Sequence, residues 1–168
     1  MFTDGRISDT FISTHNVFRP KDLSVFGRRN KLPLIVWGNG SGANSPWEHV
    51  NFLSEVSSHG FLIIAIGPIP KEGERGGGRS ESSQLTDAIN WAIDQNNDRS
   101  SLYYNRIDIT KITVSGMSCG GLLALEIAPD PVLQLRLSAI VVFWVIPEAE
   151  CQGCQTLQRI ILSSCTLP

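Results

Sequence analysis

Charge is scarce in this chain. Asp, Glu, Lys and Arg make up 18% of its 168 residues, below the roughly 25% usual in soluble proteins. The 14 basic residues face 16 acidic ones, so there is no positive excess to follow a nucleic-acid backbone. Long apolar runs are missing as well, and the longest stretch, residues 137–146, is too short to cross a bilayer. The start, Met1-Phe2-Thr3-Asp4-Gly5-Arg6, lacks the basic-then-apolar order of a secretory signal and points by default to a cytoplasmic protein. Cysteine is limited to Cys119, Cys151, Cys154 and Cys165. Cys151 and Cys154 form a C-x-x-C, but no second such pair and no H-x-x-x-H completes a zinc set. The motif also lies in a tail, whereas redox chemistry needs it at a helix start after a strand. A cysteine-rich tail is expected there, with neither metal nor cofactor.

What is present is a hydrophobic share of 42%, enough to exclude long disorder and to give one domain a core. No internal repeat and no linker divides the chain. Leu34-Ile35-Val36-Trp37 is a short apolar run ending in Gly38-Asn39-Gly40-Ser41-Gly42, which reads as a strand entering a tight glycine loop. Ser45-Pro46-Trp47-Glu48 has the signature of a helix start, with Ser45 as the cap, Pro46 at the first position and Glu48 closing a capping box. Trp47, Val50, Leu53 and Val56 fall on one helical face, and Gly60 is placed to end the helix. Residues 61–66 form a second buried strand, and a glycine-rich loop at 71–79 follows. Leu85, Ala88, Ile89, Ala92 and Ile93 mark an amphipathic helix capped by Ser80 or Ser82. Residues 112–115 read as a third strand, 122–128 as a helix stopped by Pro129 and Pro131, and 140–146 as a fourth strand. Leu23 and Val25 are expected in antiparallel hairpin material before the first crossover. Strands apolar on both faces and separated by helices predict an α/β fold, a mostly parallel sheet with helices on both faces.

The sharpest chemical signal is Gly116-Met117-Ser118-Cys119-Gly120-Gly121. The G-x-S-x-G spacing is weak alone, but here it directly follows a strand and directly precedes a helix. The glycines permit a tight turn that holds Ser118 exposed and strained, as a nucleophile requires. The helix N-terminus behind it points backbone N–H groups at the position where an oxyanion would form. One donor of that oxyanion hole is the N–H of Cys119. The other is expected from the glycine loop, from Ser41 next to Gly40. A rival motif, Gly73-x-x-x-x-Gly78-Arg79-Ser80, has phosphate-loop spacing. Its preceding strand ends too early, arginine is a poor stand-in for the lysine, and no later strand ends in a metal-binding Asp. A surface loop accounts for it better.

These runs, with residues 31–40, 58–68 and 116–121 at their centre, resemble the α/β-hydrolase superfamily. More narrowly they are similar to its dienelactone hydrolase, chlorophyllase and polyester hydrolase group. Thr14-His15-Asn16-Val17-Phe18-Arg19-Pro20 is similar to the second strand of that group. The resemblance spans about residues 12–146 and implies a partial α/β-hydrolase fold that lacks the last strands. It also implies ester hydrolysis through an acyl-enzyme on Ser118, with no cofactor. Asn39-Gly40 stands where many relatives carry His-Gly.

One departure is larger. In such enzymes the acid and the histidine of the triad follow the serine. Only Glu126, Asp130, Glu148 and Glu150 follow Ser118 as acids, and no histidine does. His15, His49 and His59 all precede the elbow, where each is expected to be structural or exposed. Without a base the serine is a weak nucleophile. Two functions therefore compete: a carboxylic-ester hydrolase by ancestry, and a non-catalytic remnant that binds a carbonyl ligand or a protein partner. Residues 1–168 are expected to be a single incomplete domain with a divergent tail at 148–168. An unpaired strand at Ile140 to Ile146, carrying Phe143 and Trp144, is expected to drive self-association.

Overall fold

The computed structural model describes residues 14–70 and 78–143. Five strands form one sheet in the order β1-β3-β2-β4-β5. These are β1 His15–Phe18, β2 Leu32–Gly38, β3 Leu62–Ile66, β4 Ile107–Met117 and β5 Leu137–Phe143. Strand β1 runs antiparallel to β3, whereas β2, β3, β4 and β5 are mutually parallel. Between them lie α1 Val50–Ser58, α2 Ser82–Asn97, α3 Cys119–Ile127 and the short α4 Pro131–Gln134.

The topology decides which face each helix covers. From β2 the chain crosses to β3 on one side, then passes back over β2 to β4 on the other. Parallel crossovers are right-handed, so reversing the direction of travel moves the helices to the opposite face. The core divides accordingly. Leu32, Leu34, Val36, Leu62, Ile64 and Ile66 pack with Leu85, Ala88, Ile89 and Ala92 of α2 and Ala124 and Ile127 of α3. The alternate positions Trp37, Ile63 and Ala65 pack with Val50 and Leu53 of α1. All five residues of β3 are buried, as an interior strand covered on both faces requires. The reversal of strand order occurs at the C-terminal ends of β2 and β4, where open α/β sheets place their ligands.

The structure corrects several expectations in detail. The first helix does not begin at Pro46. A 3-10 turn at Trp47–His49 precedes α1, and the Ser45 hydroxyl accepts the Trp47 N–H at 3.3 Å without capping the α-helix. Trp47 therefore turns outward and is exposed, off the apolar face. Gly60 does end α1, with φ +94°. Helix α2 is capped by Glu81, whose N–H donates to Gln84 Oε1 at 2.8 Å, and neither Ser80 nor Ser82 fills that role. Helix α3 starts at Cys119, three residues earlier than expected, because the elbow leads into it without a linker. The antiparallel partner is β1; Leu23 lies buried and Val25 exposed in an irregular segment. Strand β5 begins at Leu137, not Ile140. Trp144, Val145 and Ile146 lie outside the described residues, as do the C-x-x-C, Glu148, Glu150, Cys165 and most of the 71–79 loop.

Candidate active site

Ser118 stands at the corner between β4 and α3 with φ 53° and ψ −120°, and it is buried, not exposed as the turn alone predicts. A side chain in that region of backbone space costs on the order of 1–3 kcal/mol and persists only where its surroundings fix it. Here they do. The Ser118 N–H donates to the Phe143 carbonyl at 2.9 Å, tying the elbow to β5, and the Ser118 carbonyl accepts the Gly121 and Leu122 N–H groups of the first helical turn. Helix α3 begins at the next residue, so the positive end of its dipole lies at Ser118.

The three glycines around the serine are required by contact. A Cβ on Gly116 would lie 2.4 Å from the Gly120 carbonyl carbon, and one on Gly120 would lie 2.1 Å from the Gly38 oxygen. The backbones of β2, β4 and α3 thus meet without side chains between them. Gly38 and Gly116 are register partners across the parallel pair, which brings the glycine loop after β2 against the elbow after β4.

That loop is a 3-10 turn at Gly40–Gly42, in which Ser41 adopts φ 55° and ψ 15°. Only three non-glycine residues among those described have positive φ, and two of them are Ser41 and Ser118. Asn39 anchors the loop from below. It is buried, and its Nδ2 donates to the Ile66 carbonyl at 2.7 Å and the Ala43 carbonyl at 3.0 Å. Ser80 anchors it from the side: its hydroxyl donates to the Ala43 carbonyl at 2.6 Å and its N–H to the Gly42 carbonyl at 2.9 Å. These two anchoring roles are not visible in the sequence, since they depend on segments 27 and 37 residues apart meeting at the loop.

Cys119 is disulfide-bonded. The thiol is thereby removed from the site, and what Cys119 can offer an oxyanion is its backbone N–H.

All three histidines are placed, and none hydrogen-bonds Ser118. His15 is buried in β1, with Nε2 2.9 Å from the Gln84 carbonyl and Nδ1 2.9 Å from the Thr14 hydroxyl. Its burial holds its pKa below the ordinary imidazole value. His59 is exposed beyond α1 and pairs with Glu55 at 3.3 Å. His49 is half-buried, and its ring meets Trp37 edge-on at 5.4 Å. Burial lowers its pKa too, against a smaller opposing effect of Glu48. Among the described residues no carboxylate bonds to any of these rings except that exposed Glu55. No group of three or more metal-ligating side chains is found among the described residues, and no helix among them is long and apolar enough to cross a membrane.

The model of the PET hydrolase-like family matches residues 36–146, about two thirds of the chain. The chain belongs to the PET hydrolase-like family. The matched segment runs from β2 to just past β5 and includes both the glycine loop and the elbow. Among solved structures, one of the two fungal esterases from Rhizomucor miehei is similar at 24% identity and a TM-score of 0.53. The match covers 77% of this chain and 38% of the esterase. Esterase B from Lactobacillus rhamnosis is 17% identical with a TM-score of 0.48, covering 76% of this chain and 42% of that enzyme. The chain therefore spans about two fifths of the length of these structures. No curated protein matches it. The family match places the ancestry of the chain among PET hydrolase-like proteins, and the likeness to the Rhizomucor miehei esterase shows a shared, mostly parallel α/β fold.

Proposed function

We propose that the site is that of a carboxylic-ester hydrolase in which Ser118 attacks the ester carbonyl and forms an acyl-enzyme. The observation that carries the reading is the backbone of Ser118, held at φ 53° between a strand end and a helix N-terminus. This non-glycine residue is kept in a costly conformation by contacts that only glycines allow. In this reading the Cys119 N–H and the Ser41 N–H face the developing oxyanion, with Gly40 giving the carbonyl room to approach. The left-handed conformation of Ser41 supports its role, because it turns the loop's backbone at the position adjoining the elbow.

The distance of all three histidines from hydrogen bonding with Ser118 favours a second reading, a chain that binds a carbonyl ligand or a partner without turnover. A serine without a base loses most of its nucleophilicity, while an oxyanion hole alone retains a residual acceleration of about 10³- to 10⁴-fold over water. The two readings separate on the hydrolysis of p-nitrophenyl butyrate. The hydrolase reading expects slow release of p-nitrophenol above the protein-free rate, clearly reduced in Ser118→Ala. Release at the protein-free rate, or release undiminished in Ser118→Ala, refutes it.

A further inference from the structure

The space over Gly40 is bounded by two residues. A Cβ placed on Gly40 would lie 3.8 Å from the Met117 carbonyl oxygen, 3.9 Å from His49 Nε2 and 4.0 Å from Met117 Cγ. Met117 immediately precedes Ser118, and Gly40 immediately precedes Ser41. The His49 ring is therefore a neighbour of the hollow between glycine loop and elbow, although the residue belongs to the turn that leads into α1. The edge-on contact with Trp37 fixes its orientation. Trp37 is 3% exposed, so the ring leans on a rigid wall. Neither ring nitrogen of His49 bonds to any described residue, whereas His15 is bonded at both nitrogens and His59 pairs with Glu55.

We propose that His49 is a substrate-contacting residue of the ester site, its Nε2 hydrogen-bonding an oxygen of an ester bound over Gly40. This rests on the reading of Ser118 as an ester-hydrolase nucleophile and adds a contact on the glycine-loop side of the reacting carbonyl. The nitrogens of His49 are not among the buried polar atoms that lack a partner, so they are open to water or to a ligand. Burial keeps the ring neutral near pH 7, so it offers one donor and one acceptor. A neutral imidazole can polarise a carbonyl without transferring its proton. The contact also explains why the position at 40 suits glycine even though its φ is ordinary. A side chain there would fill the gap that His49 and Met117 leave.

The test uses the full chain carrying Ser118→Ala, which binds an ester without consuming it, with ethyl butyrate as the probe. The ring ¹⁵N signals of the three histidines are followed, and His49 is assigned by its loss in His49→Phe. Binding is read independently from saturation transfer to the ester. The proposal expects the His49 Nε2 signal to move on saturation while those of His15 and His59 stay fixed. In the chain with Ser118 intact, it expects His49→Phe, which keeps the ring contact with Trp37, to slow fluorophosphonate labelling about tenfold. His49→Gln, which keeps a hydrogen-bonding group, should stay within about twofold. Ester binding with an unmoved His49 signal overturns the proposal, as does labelling of His49→Phe at the unsubstituted rate. If Ser118 still labels in that case, the hydrolase reading survives and only the role of His49 falls. Absence of both ester binding and labelling removes the two together.

Discussion

A single methyl group decides whether the corner at Ser118 can form. Gly120→Ala drives a Cβ to 2.1 Å from the Gly38 oxygen, a backbone atom of an interior strand that cannot step aside. Overpacking of this kind costs about 1–3 kcal/mol or more, so the denaturation midpoint of Gly120→Ala should fall clearly. Gly40→Ala meets nothing closer than 3.8 Å and should stay within about 0.5 kcal/mol of the parent. Equal midpoints for the two variants would show that the close approach of β2, β4 and α3 is not as described. At this scale the sequence was readable where glycine spacing encodes the contact, as at Gly116, Ser118 and Gly120. It was unreadable where a polar side chain serves a distant segment. Asn39 entered as a departure from the His-Gly of relatives, and only the folded chain shows its amide bonding Ile66 and Ala43. His49 was expected to be structural or exposed like the other two histidines, because no local pattern tells where a 3-10 turn aims a ring.

At the scale of elements, apolar runs marked β2, β3 and the second half of β4 because strands buried on both faces need continuous hydrophobicity. Their ends were less legible. The first four residues of β4, Ile107 to Thr110, mix apolar with polar side chains, since only part of that stretch pairs with β2 before the register shifts. The Ser45-Pro46 signature was sound chemistry that the chain uses for a turn instead of a helix start. Burial of β3 carries a prediction. Ile64 is wholly buried between α2, α3 and neighbouring strands, so Ile64→Ala should cost about 2–5 kcal/mol. Val25→Ala, at an exposed site, should cost less than about 0.5 kcal/mol. Strand β5 is the edge of the sheet among the described residues, and Ile140, Val141 and Phe143 are 39%, 40% and 43% exposed. We propose that this edge pairs with a second copy of the chain, since each copy presents backbone groups that no described residue pairs and the same apolar side chains. Sedimentation should then show dimers or larger species that Val141→Lys reduces. A monomer at high concentration without the substitution would contradict the pairing.

The whole molecule should lose stability in mild acid. Burial holds the imidazoles of His15 and His49 below their ordinary value of 6.5. Between the folded and unfolded values the unfolded chain binds protons that the folded chain refuses. Stability is therefore fully present above about pH 6.5, falls as pH drops through that value, and levels off once the folded groups also protonate. The lowered carboxyls of Asp22, Asp98 and Asp108 add a loss in the same direction only at stronger acid, below their ordinary 3.8. Denaturation midpoints at about pH 7.5 and about pH 5.5 read the histidine contribution, which His15→Gln should diminish. A midpoint that rises on acidification contradicts the burial of these rings.

The apolar runs separated by helices predicted the α/β sheet that the chain forms, and the elbow and glycine loop lie together at the C-terminal ends of β2 and β4. The order of the chain already set the three histidines apart from Ser118, but that His49 would lie beside Gly40 is a property of the assembled sheet. The most direct test of the account is peptide mapping of the full chain after treatment with a fluorophosphonate. The account predicts one slowly formed adduct, on Ser118, that disappears in Ser118→Ala and forms at an unchanged rate in His15→Gln and His59→Gln. An adduct on another residue, or none at all, would contradict it.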